Sequence, residues 1–75
     1  MQRPQFEIMV KRVRPNLIII GRMILQSEDE AEDIAQDTLL RLWNIRDKLD
    51  RYDSVDSLAA VVTRNLCISR LRKIR

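Results

Sequence analysis

Histidine is absent from this 75-residue chain, and cysteine and glycine occur once each. Without histidine the chain lacks the side chain best suited to moving protons near neutral pH, and no plausible zinc ligand set remains. One cysteine excludes an internal disulfide, and Cys67 sits in an apolar helical context, so it reads as a small core residue rather than a reactive thiol. There is no glycine-rich phosphate loop, and the carboxylates occupy helical positions that face solvent or cap a terminus. The usual bases and nucleophiles are therefore missing, and the chain reads as no enzyme, with no cofactor and no metal. The longest apolar run, residues 17–20, is far too short to span a bilayer, and the N-terminus does not resemble a signal peptide. No membrane insertion is expected, and a reducing cytoplasmic setting fits.

What remains is a helix-forming chain. With 45% hydrophobic residues, one glycine and two prolines, it has the composition of a folded, strongly helical domain. Its length allows one small domain with a thin core. Charge is laid out in three blocks. Residues 1–26 carry five cations and one acid, residues 27–50 three cations and eight acids, and residues 51–75 six cations and two acids. A basic–acidic–basic order suits two partners, a polyanion at the ends and something cationic in the middle. It also suits an acidic helix that pairs with its own basic neighbours.

The spacing predicts a first helix from about Gln5 to Leu25, with Phe6, Met9, Val10, Val13, Leu17, Ile20 and Ile24 on one stripe. Pro15 removes a backbone donor inside it, so a kink or restart is expected near Arg14. Gly21 should weaken this helix by ~1 kcal/mol relative to alanine. Ser27 is a suitable N-cap for a second helix, and Glu30 three residues later completes a capping box. From Glu28 to Ile45, residues Ala31, Ile34, Ala35, Thr38, Leu42 and Ile45 form a core-facing stripe. The other side carries Asp33, Gln36, Asp37, Arg41 and Asn44, with Leu40 among them. A leucine there either anchors a basic partner or is one stray apolar residue on a wet face.

Residues 47–54 break the periodicity and read as a loop. Ser54 or Asp53 caps a third helix, from Val55 to Arg72 or beyond. Val55, Leu58, Ala59, Val62 and Leu66 make one apolar stripe, and Ala60, Cys67, Leu71 and Ile74 a roughly opposite one. That pattern predicts a central helix packed on two sides. Arg64, Asn65, Arg72 and Arg75 project between the stripes, with Ser69 at the margin. Cations there would neutralise phosphates, Asn65 and Ser69 could bond base edges, and Tyr52 could stack on an unpaired base. The same residues also fit a basic helix end that complements its own dipole.

Taken together, AEDIAQDTLLRLWNIRDKLD followed by SLAAVVTRNLCISRLRKIR resembles region 2 of bacterial sigma factors, nearest to the extracytoplasmic-function class. The resemblance spans essentially the whole chain. It implies an all-α domain, three main helices in a compact bundle over residues 1–75, without the helix-turn-helix domain that binds the −35 element. It further implies two partners, the clamp helices of the largest subunit of core RNA polymerase and the unpaired non-template strand of the promoter −10 element, which the domain helps to melt. An anti-sigma factor is a further partner of the family.

By this resemblance Asp33, Gln36 and Asp37 inherit the polymerase contact, with Leu40 and Arg41 beside them. Arg51 and Tyr52 in the loop, and Arg64, Asn65 and Ser69 on the third helix, inherit the DNA contact. Arg70, Arg72 and Lys73 would hold the backbone. Leu58 stands where the family typically has tryptophan, and Asp53 and Asp56 put negative charge beside the strand-binding loop. The competing readings are a protein–protein module that mimics such a domain and a helix-turn-helix duplex binder.

Overall fold

A computed structural model gives the fold of residues 1–74, without the side chain of Ile74. Arg75 and the Ile74 side chain, both placed above on the third helix, lie outside the described residues. Three long helices and one short turn make an all-α bundle: α1 (Arg3–Leu25), α2 (Glu28–Asn44), a 3-10 turn (Arg46–Arg51) and α3 (Val55–Ile74).

α1 runs uninterrupted through Pro15, so the restart expected near Arg14 does not occur. Pro15 is exposed, on the side of the helix where a missing donor leaves nothing buried unpaired. Phe6, Met9, Val13 and Leu17 are buried as their spacing predicts, whereas Val10, Ile20 and Ile24 are only partly so. Ile18 and Gly21 are buried in their place. At Gly21, α2 lies directly against α1. A methyl added there would lie 2.8 Å from both the Cα and the Cβ of Ala31. Gly21 is thus more than a weak point in a helix. It is the residue that lets two backbones touch.

The connection between α1 and α2 is two residues, Gln26 and Ser27. Gln26 ends α1 in the left-handed region at φ 55°, with its N–H bonded to the Arg22 carbonyl, the geometry more often taken by glycine. Ser27 then caps α2, its Oγ accepting the Glu30 N–H at 3.3 Å. The reciprocal half of the expected capping box is replaced, because the Glu30 carboxylate is bonded to Arg70 on α3 instead. All of the predicted α2 stripe is buried except Ile45, which is partly so.

α3 departs from its expected role. Its fully buried residues are Ala59, Thr63 and Cys67, one every four positions: Ala59 belongs to the first apolar stripe, Cys67 to the second, and Thr63 lies between them. The stripes therefore flank a single face that meets both α1 and α2, and α3 is not sandwiched between them. Thr63 and Thr38, both without solvent exposure, share a 2.9 Å hydrogen bond that fastens α3 to α2. Burial pushes the Cys67 thiol up from its ordinary pKa, as suits an inert core residue. Among the described residues no helix is long and apolar enough to cross a membrane.

Candidate functional site

Two exposed surfaces stand out, one on α2 and one running from the 3-10 turn along α3. The α2 surface follows from the burial of its other face. With Ala31, Ile34, Ala35, Thr38 and Leu42 turned inward, Asp33, Gln36, Leu40 and Arg41 are exposed and Asp37 is half-buried. Asp37 accepts a 3.4 Å bond from Arg41 one turn on, a pair of the exposed kind that contributes little. Leu40 is 56% exposed. It stands at the rim of an open groove of about 860 Å³ between α1 and α2, which Gln36 also lines.

The floor of that groove is apolar, made by Phe6 and Val10 of α1 and Leu39 and Trp43 of α2. Trp43 is held edge-on against Phe6 at 5.0 Å, and the Arg46 guanidinium lies 4.0 Å from its ring centroid. Lys11 and Arg14 line the groove from α1. The sequence alone had not singled out Trp43, Leu39 or these α1 cations. The i, i+3, i+4, i+7 spacing of Gln36, Leu39, Leu40 and Trp43 is the signal that could have found this stripe.

The second surface begins where the expected loop is in fact a 3-10 turn over Arg46–Arg51, anchored by Leu49, which is fully buried. The N-terminal amine donates to the Arg46 carbonyl at 2.8 Å and fixes its start. Tyr52 then emerges 47% exposed. Ser54, rather than Asp53, caps α3 by accepting the Ser57 N–H at 3.1 Å. Tyr52 through Ser54, with Ser57, Leu58 and Val61, line a shallow open hollow of about 350 Å³. Leu58 thus forms part of its wall. Arg51, Arg64, Asn65, Ser69, Arg72 and Lys73 are all exposed.

Two charged residues are placed differently from expectation. Asp56, expected to repel phosphate, is held by Arg12 of α1 through bonds of 2.7 and 3.1 Å. The Arg12 guanidinium keeps its carboxyl below the ordinary carboxylate range, so its charge is locally matched. Arg70, expected along the DNA backbone, points back toward α2, where it pairs with Glu30 and lies 3.5 Å from Asp33. A second bidentate pair, Arg22 with Glu28 at 2.7 Å, straddles the α1–α2 connection and lowers the Glu28 pKa. The acidic middle block is therefore partly matched by its own basic neighbours. Asp29 and Glu32 carry no ion pair among the described residues.

A family model described as sigma-70 region 2 matches residues 9–75. The chain belongs to the sigma-70 region 2 family. No individual curated protein and no solved structure gives a significant match. A sigma-70 region 2 domain is a non-catalytic part of the machinery of transcription initiation, and the helical bundle described above agrees with that family's architecture. Its partners, as a family, are core RNA polymerase and promoter DNA. Both classes suit what the two surfaces offer: an apolar groove beside carboxylates and amides on α2, and exposed cations, an amide and a tyrosine from the 3-10 turn to the end of α3.

Proposed function

We propose that this domain, of the extracytoplasmic-function class, docks on the clamp helices of core RNA polymerase through α2. In this reading it holds the unpaired non-template strand of the −10 element through the 3-10 turn and α3. Asp33, Gln36 and Asp37 meet cations of the clamp, Leu40 is the apolar anchor, and Arg41 borders the contact. The observation that carries this is Leu40. A leucine 56% exposed at the rim of an apolar groove is an anchor with a place to be buried, where a stray leucine would have none.

On the DNA side, Arg51, Arg64, Arg72 and Lys73 supply phosphate contacts, Asn65 and Ser69 bond bases, and Tyr52 stacks beside the hollow. Arg70 reaches the backbone only by leaving Glu30, so its contribution should be smaller than that of Arg72. Melting is driven by binding, with extruded bases held by the protein offsetting the few kcal/mol lost on unstacking.

The test is association with core polymerase by the double variant Gln36→Ala, Leu40→Ala. We expect affinity to fall about tenfold or more. Thermal stability should change little, since both side chains are exposed. Unchanged affinity would sink the docking assignment.

A further inference from the structure

The outer face of α3 carries two β-branched side chains that the core does not use. Val61 is 53% exposed and Ile68 is 38% exposed. Helical spacing puts both on one face, with Asn65 between them and Arg64 and Arg72 on either side. Neither arginine has an ion pair among the described residues. Phosphate binding alone explains the cations and leaves the apolar pair unexplained, since aliphatic groups add nothing to a phosphate contact. A second copy of the chain is disfavoured as the occupant, because two such faces would bring Arg64 and Arg72 against themselves. Aliphatic groups set among an amide and cations suit contact with the C5-methyl group of thymine.

We propose that Val61 and Ile68 read thymine methyl groups in promoter DNA, an inference that rests on the DNA-binding half of the proposed function. Residues seven apart lie roughly 10.5 Å apart along a helix axis. That distance matches about three nucleotide steps of roughly 3.4 Å each, so the two thymines would stand about three positions apart. Asn65, between them, would bond the edge of an intervening base, while Arg64 and Arg72 hold the strand. The sequence preference of the domain would then depend on aliphatic contacts that no charge pattern reveals.

The experiment compares binding of the full chain to oligo(dT) and oligo(dU) of about 12 nucleotides. The same pair is tested single-stranded and as duplexes with oligo(dA). The two series differ only by the methyl group. We expect oligo(dT) to bind more tightly, by about fourfold for one buried methyl and roughly fifteenfold for two. In the double variant Val61→Ser, Ile68→Ser that preference should fall to near unity while salt-dependent binding persists. Preference confined to single strands places the methyls on the unpaired strand, and preference confined to duplex places them in the major groove.

Equal binding of the two oligonucleotides by the unaltered chain overturns the inference and leaves the DNA-binding reading intact. A preference that survives in the double variant also overturns it, since the methyl would then be sensed elsewhere, for instance by stacking on Tyr52. No binding to either oligonucleotide, in any form, removes the DNA-binding reading and this inference with it.

Discussion

The α1–α2 hairpin and the α3 helix are held in different ways. In the hairpin, backbones approach closely at Gly21 and Ala31, the connection is two residues long, and Arg22 and Glu28 clasp it from outside. α3 is joined through small side chains, a single buried hydroxyl pair, and arginine–carboxylate contacts at each end: Arg12 with Asp56, and Arg70 with Glu30. A close-packed hairpin can carry a docking groove of fixed shape. A helix attached by a narrow face keeps most of its circumference free, and on α3 that free surface holds the cations, the amide and the exposed aliphatics. The contrast teaches that both surfaces are by-products of how little of each helix the core requires.

The sharpest way to break this contrast is at Gly21. Replacing it with valine should destabilise the domain by about 3 kcal/mol, because the new side chain meets the backbone of Ala31. Gly21→Ala should also destabilise, although alanine is the better helix former by ~1 kcal/mol. Urea unfolding measures both. A neutral or stabilising Gly21→Ala would show that the helices separate freely and that the close approach is not a constraint.

A smaller effect is expected at the joint of α3. Thr63→Val keeps the side-chain shape but strands the Thr38 hydroxyl, at a cost of about 1–2 kcal/mol. Some of that loss would be recovered if Thr38 turned to a carbonyl of its own helix. The double variant Thr38→Val, Thr63→Val should cost less than the two single changes together. A thermodynamic cycle of the four proteins checks this, and strict additivity would mean that the hydroxyl pair does not couple α2 to α3.

The least effect is expected from the exposed ion pairs, which should differ in pH dependence rather than in size. Glu28 and Asp56 both have carboxyl pKa values lowered by arginine partners. A lowered folded-state pKa adds stability that is fully present above the unfolded carboxylate value, about 4. It is lost as pH falls through the folded value. The unaltered domain should therefore lose stability below about pH 4 more steeply than Arg12→Ala, Arg22→Ala, with thermal melts at successive pH values as the measurement. Parallel curves would show that the pairs are fully screened by solvent.

The inward face of α2 was legible because one period ran unbroken from Ala31 to Leu42. The residues proposed to meet polymerase, and Leu40 among them, stood out against that period and by resemblance to the family. α3 was harder. Its two stripes look alike in sequence, and small polar Thr63 at the true centre carries no hydrophobic signal. Leu49 was hidden within a charged segment, where one leucine cannot establish a buried turn.

The sequence by itself determined the three long helices, the Ser27 cap, and the side of α2 that leaves water, because periodicity and capping depend on neighbours a few residues away. It also carried the motif order that marks a sigma-70 region 2 domain. Only the tertiary structure decided that Gly21 is a point of backbone contact, that Arg12 matches Asp56, and that Arg70 turns to Glu30 rather than outward. Each of these depends on which distant residue arrives within a few ångströms. Local spacing has no access to that, since an arginine among several acids has no sequence-encoded partner until the helices pack.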